Sequence, residues 1–221
     1  MENLFERSQG NFISKTLLTM SMGLLVTFIT AIVTAVLMAG AISMPMMIGA
    51  MIAEVVVVIY LSARIKKMSV NSARICFYAY AALNGFTMSV IFMNVNIAKV
   101  SAVFLITSAM FFCSAMVGMT TKRDLSTFGR FLMMMLFGLI LLTFTQFIFG
   151  LSGLSFGVTM LGIFIFCGLT AYDMQKIKRF HAECFYLNAE DVSKFVIISA
   201  LDLYLDFINL FWYILRLFLE D

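Results

Sequence analysis

The chain has 221 residues, 62% of them hydrophobic and only 12% charged. A soluble domain carries about twice that charge, so composition excludes a soluble globular protein and predicts an integral membrane protein with little mass outside the bilayer. The formal net charge of +3 decides nothing by itself, because orientation depends on where Lys and Arg lie, and no nucleic-acid partner is expected.

Residues 1–15 are polar with balanced charge and read as a short tail or interfacial turn. Leu17 to Met38 is a charge-free run of 22 residues, enough for one span at about 20 residues each. It is too long for a signal-peptide core, and its leader lacks positive charge. Pro45, the only proline, fits the first turn of a second helix that carries Glu54 near mid-depth. A basic loop, Arg64 to Arg74, leads to a third span with Asn84-Gly85 as a close-packing point, then Val100–Met119 forms the fourth. Phe131 to Tyr172 holds no charge in 42 residues; as one helix it would be ~63 Å long, about twice the hydrocarbon thickness, so it must break, near Gly150-Leu-Ser-Gly153. The seventh span follows a polar connection over Phe180–Asp191.

The reading is an all-α polytopic membrane protein with one integral membrane domain over 1–221. Its seven helices lie at about 17–38, 44–63, 75–95, 100–119, 131–150, 154–178 and 193–216. The tail and the loops after helices two, four and six hold 2, 4, 3 and 4 basic residues, whereas those after helices one, three and five hold 0, 1 and 0. The positive-inside rule therefore expects a cytoplasmic N-terminus and, with seven spans, an outer C-terminus. The short N-terminus favours a bacterial cytoplasmic membrane.

Cys76, Cys113, Cys167 and Cys184 show no CxxC or other metal-ligand spacing, and three of them lie in apolar spans, where a thiol behaves as a small hydrophobe. No cofactor is expected. The chemistry-bearing residues in or at the edge of the spans are Glu54, Arg64, Asp173, Asp202 and Asp206. Asp202 and Asp206 share a face of helix seven, which Asn209 extends. An ionisable group at membrane depth costs on the order of 2.5–3.5 kcal/mol on insertion scales and usually serves function. Asp173 ends helix six on the side where helix seven begins, so it can approach Asp206. With a turn centred near residue 186 and straight helices, however, Asp206 lies roughly 10 Å too deep. Contact then requires helix seven to start outside the hydrocarbon or helix six to run past Lys176. Other partners weighed are Lys176 for Asp173, Asn84 or Gln146 for Asp206, and Arg64 as a latch on Asp173.

Two carboxylates close together in low dielectric tend to share a proton, which makes a pH sensor. Ionised, they offer Asp173 and Asp206 as a weak, transient Ca2+ site, since Ca2+ takes six to eight oxygens and the pair supplies at most four. HExxH, GxSxG, Walker and GxGxxG motifs are absent, so an ordinary hydrolase or nucleotide enzyme is not expected. Of the intramembrane aspartyl-protease motifs, Tyr172-Asp173 is present and Gly-x-Gly-Asp is not.

Ala171-Tyr-Asp-Met-Gln-Lys-Ile177 resembles the Tyr-Asp-Thr-Gln signature of the Bax inhibitor-1 (transmembrane Bax inhibitor motif) family, and Leu203-Tyr-Leu-Asp-Phe-Ile-Asn-Leu-Phe211 closely resembles its helix-seven signature. Ala53-Glu54, the run Arg64 to Ser69 and Tyr78-Ala-Tyr-Ala-Ala-Leu-Asn-Gly85 extend the likeness over the whole chain. The resemblance implies a seven-helix fold with the C-terminal helix central and a pH-sensitive calcium leak gated by an aspartate pair. That pair maps to Asp173 and Asp206, with Arg64 as the closing arginine. Asp202 departs from the Ser or Thr more usual there, and the connection from helix six to seven is longer than in compact bacterial members. The expected partners are the bilayer, Ca2+ and H+. The alternatives are a non-conducting regulator that binds a membrane protease or another partner, and a proton-coupled transporter.

Overall fold

The computed structural model describes residues 2–38, 40–149, 155–183 and 188–220, without the side chains of 2–9, 66, 146–148, 155, 181–183 and 220. The described residues form seven α-helices and no strand: α1 (Glu2–Leu37), α2 (Met44–Arg64), α3 (Val70–Asn94), α4 (Ile97–Thr120), α5 (Ser126–Phe149), α6 (Ser155–Glu183) and α7 (Ala189–Glu220). Each contains a stretch long and apolar enough to cross a membrane. The all-α, seven-helix expectation is therefore met. The expected break at Gly150–Gly153 and Cys184 lie outside the described residues.

Most helices outrun their apolar runs, because intrahelical bonding continues into the interface until a cap or turn ends it. The largest departure is at the start. Residues 2–15 are helical and not a tail. Phe12, Thr16, Met20, Gly23, Thr27, Ala31 and Thr34 form one buried stripe at three- and four-residue spacing. The Phe12 ring meets Phe180 at 6.4 Å, which gives the polar first turns something to pack on. Similarly, half of the expected basic loop is helix: after a 3-10 turn at Ile65–Lys67, Ser69 caps α3 by accepting the Ser72 N–H. Between α1 and α2 the chain turns at Gly40, whose φ of 81° suits glycine.

The chain divides into two compact units, Met1–Ile97 with Phe180–Tyr204, and Ala98–Arg179 with Leu205–Asp221. In the first, α1 and α3 approach closely: a side chain at Gly85 would collide with the backbone of Thr27, and one at Gly23 with the Phe77 ring. Tyr204 fills this contact. Its ring packs edge-on against Phe77 and Tyr80, and its hydroxyl shares a 2.7 Å hydrogen bond with Thr27. The single Thr27 proton is shared between the carbonyls of Gly23 and Ala81, at 3.0 and 2.9 Å, which leaves Tyr204 as the donor to Thr27. In contrast, α2 buries only 11% of its apolar window and turns a broad Met, Ile and Val face outward, as lipid contact requires.

In the second unit Phe207 of α7 sits between Phe104 and Phe111 of α4. Gly118 of α4 lies against the backbone of Ala171, and Gly168 of α6 takes Leu132 of α5. Such glycines let helices approach where no hydrophobic force between them operates. The span in α7 is 67% buried, the largest share of the seven.

Two substitutions separate packing from bonding in the first unit. Gly85→Val should cost about 1–3 kcal/mol or more by overpacking. Tyr204→Phe should cost about 1 kcal/mol or less, as interhelical hydrogen bonds in membranes do. Thermal unfolding in detergent ranks them, and a Gly85→Val protein as stable as wild type would refute the close approach.

Candidate functional site

The two aspartates singled out by the sequence are both buried, Asp173 to 5% exposure on α6 and Asp206 to 4% on α7, and both belong to the second unit. Their relation follows from the packing of α6 on α7. Tyr213 of α7 stacks on Phe166 with ring centroids 5.8 Å apart, and it fills the notch left by Gly162. Only residues 184–188 separate the two helices, so they form an antiparallel hairpin. Seven residues make almost two full turns. Moving seven residues forward from Phe166 and seven back from Tyr213 keeps both faces, so Asp173 and Asp206 lie on the faces of α6 and α7 that meet at this stack. Asp206 also acts electrostatically on the Cys167 thiol of α6, which is hydrogen-bonded to Ser114 of α4. The α7 carboxylate therefore faces α6.

The helix limits bear on the depth difficulty: α6 runs past Lys176 to Glu183, and α7 begins at Ala189, before its apolar run.

Asp173 also meets Lys176, Nζ to Oδ1 at 3.6 Å. The pair is not a solvated one, since the lysine side chain is half exposed and the aspartate side chain only 7%. An ammonium at that edge leaves the carboxylate accessible to charge while its body stays buried.

The rest of the Ala171–Ile177 run holds the end of α6 in place. The Tyr172 ring covers Gly129 of α5. The Gln175 amide grips the α4–α5 loop at two points: Oε1 accepts the Leu125 N–H at 2.9 Å and Nε2 donates to the Arg123 carbonyl at 2.8 Å. Lys178 donates to the Met119 carbonyl near the end of α4 at 2.8 Å, a favourable place for a cation. Arg179 donates to Asp124 at 2.6 Å and to Ser126 at 3.2 Å.

The other candidates are dispersed. Glu54 of α2 accepts from Thr87 at 2.7 Å and from the Asn84 amide at 3.4 Å. Asn84, weighed as a partner of Asp206, is thus bonded to Glu54, and its buried Oδ1 accepts no hydrogen bond among the described residues. Gln146 lies outside the described side chains. Arg64 is exposed and ends α2. Asp202 is half-buried one turn before Asp206. Asn209 is half-buried and donates to the Leu205 carbonyl at 2.7 Å, capping its own helix turn. Among the described residues no three His, Cys, Asp or Glu side chains gather to hold a metal ion.

Sequence reasoning assigned no task to Gln175, Thr87 and Tyr204. For Gln175 and Tyr204 the signal was present, since both lie in the signature runs two residues from an aspartate. For Thr87 it was not, because hydroxyls in spans usually bond their own helix.

Seven apolar helices with ionisable groups inside them define a polytopic membrane protein. The profile of the family described as "Inhibitor of apoptosis-promoting Bax1" matches residues 9–221. Inner membrane protein YbhL of Escherichia coli (strain K12) is 42% identical over 172 residues, 78% of this chain and 74% of the relative. An uncharacterized protein of Borreliella burgdorferi is 36% identical over 215 residues, 94% and 91% of the two chains, and YrjE of Lactococcus lactis is 35% identical over 225, 96% and 93%. The chain belongs to the Bax inhibitor-1 family and is a multi-pass membrane protein.

One contact at the site's edge titrates outside the spans. The Ser126 hydroxyl and backbone N–H, then Arg179, hold the exposed Asp124 carboxyl down at about 2. A lowered carboxylate stabilises the fold fully above its ordinary range and loses that contribution as pH falls through about 2. Asp124→Asn should therefore lower the melting temperature by a constant amount from neutral pH down to about 5, with the gap to wild type closing below about 4. A gap that widens on acidification would overturn the assignment.

Proposed function

We propose that this protein is a pH-sensitive leak channel that passes Ca2+ across the membrane, with Asp173 and Asp206 as its protonatable gate. The observation that supports the reading is the Phe166–Tyr213 stack, from which a seven-residue step on each helix leads to two buried carboxylates on the contacting faces. Two carboxylates close together there cannot both ionise cheaply. With one proton shared, the pair closes on itself and presents little net charge to an ion. With the proton gone, the carboxylates repel and offer oxygens to a hard cation. Four oxygens at most, with no third His, Cys, Asp or Glu gathered with them among the described residues, bind Ca2+ weakly enough to release it, which conduction needs.

The same reading keeps Arg64 as the latch and Asp202, Glu54 and Asn209 as accessory polar groups. It places the protein in the cytoplasmic membrane of a bacterium, consistent with the name of the Escherichia coli relative, with the N-terminus in the cytoplasm as the basic loops predict. Ca2+ and H+ are permeant or sensed ions, no cofactor is needed, and no catalytic role is assigned.

Purified protein in liposomes loaded with a Ca2+ dye tests this. Wild type should pass Ca2+ at a rate that changes across about pH 5 to 8, and Asp173→Asn and Asp206→Asn should each flatten that profile. Retention of wild-type flux and pH response by both variants would sink the gate. Absence of flux from folded wild-type protein, with a stable partner recovered from native membranes, would replace the channel by a regulatory membrane protein.

A further inference from the structure

Gln175 lies in the signature run around Asp173, yet the proton-sensing reading gives it no task. It is 5% exposed, and a buried amide is costly unless both of its ends are bonded. Both are, and both to one loop, at Leu125 N–H and Arg123 C=O. An amide bonded to two backbone groups of a single turn holds that turn rigidly, because its planar end fixes direction as well as distance. Helix geometry carries this grip to the carboxylate. Two residues on an α-helix are about 200° apart, so Gln175 and Asp173 occupy opposite faces, one toward the loop and one toward α7. Neighbouring contacts fix the remaining freedoms: Gly118 against Ala171 sets how closely α6 approaches α4, Tyr172 over Gly129 does the same for α5, and Lys178 on Met119 sets the depth. Rotation is left to Gln175 and, more weakly because the pair is exposed, to Arg179 on Asp124.

We infer that Gln175 is a positioning residue that, by clamping residues 121–125, sets the orientation of the Asp173 carboxylate toward α7. The inference rests on Asp173 being half of the proton sensor. The charged groups on the elements at this end of α6 are Lys176, Lys178 and Arg179 on α6, Asp202 and Asp206 on α7, Lys122, Arg123 and Asp124 in the loop, and Arg130 on α5. A turn of α6 changes the distances from Asp173 to Asp206 on one side and to the loop charges on the other. The loop, outside the membrane, thereby becomes a handle on a buried group.

Two readouts on full-length protein in liposomes test it. One is the infrared carboxyl band of Asp173, assigned by its loss in Asp173→Asn and titrated against pH; the other is Ca2+ flux over the same range. Gln175→Met keeps the size and removes both loop bonds. It should move the midpoint of the band by about half a pH unit or more, and the flux profile with it. Leu125→Pro removes one bond from the loop side and leaves Gln175 intact; it should move the midpoint the same way and less, and it serves if Gln175→Met does not fold. A folded Gln175→Met protein with a lower melting temperature and the wild-type midpoint would reduce Gln175 to a structural strut and overturn the inference. Movement of the band in a protein that passes no Ca2+, wild type included, would defeat the conduction reading while leaving the positioning role standing.

Discussion

The stacking of Tyr213 on Phe166, over the notch at Gly162, seats α7 on α6, and it fixes which faces of the two helices carry Asp173 and Asp206. A helix hairpin has one free parameter along its length. Once a bulky ring is seated in a glycine notch, a slide of one residue either way drives the ring into backbone or leaves a void, and both are costly in a packed interior. The aromatic contact thus acts at a distance of two turns. It keeps Asp173 and Asp206 on the contacting faces by packing energy that does not depend on pH.

The polar groups in the spans follow one rule. Without water, each hydroxyl and amide must find a partner within the protein. Thr27 bonds Tyr204 and two carbonyls, Thr87 bonds Glu54, and Gln175 bonds a loop. These bonds add modest stability each, about 0.6 kcal/mol on average in membrane proteins, so their value lies in orientation. Tyr204 and Gln175 show this most plainly. Each is two residues from an aspartate, on the opposite side of the helix, and each is bonded to another element. A helix pinned on one face has a fixed rotation, and a fixed rotation is what a buried carboxylate needs.

Much of this could be read from the chain. Apolar runs longer than a bilayer gave the seven spans, and aspartates inside such runs gave the candidate site. Helix limits were read poorly, because hydropathy reports where lipid ends and not where hydrogen bonding stops. The Phe12–Thr16–Met20 stripe continues α1 through a polar segment, and Ser69 starts α3 inside a basic one. The level of Asp206 against Asp173 is not legible for a related reason. The middle of a polar connection is a fair guess for the centre of a hairpin only if both helices end at the same level. Glycine notches fix such offsets, and a glycine in a sequence does not say which ring will fill it.

A site built in this way separates what senses from what sets the sensitivity. In the proposed sensor the carboxylates titrate, while their facing is set by the Phe166–Tyr213 stack and by side chains bonded on the far sides of α6 and α7. The exposed ion pair of Arg179 with Asp124 and the Gln175 clamp join the α4–α5 loop to the turn of α6 that bears Asp173. Loop residues can therefore be exchanged to tune the response without placing any new charge in the membrane, where each would cost on the order of 2.5–3.5 kcal/mol. A polar loop gripped by a buried amide is the less costly place for such variation, and in this chain it lies two residues from the group it would adjust.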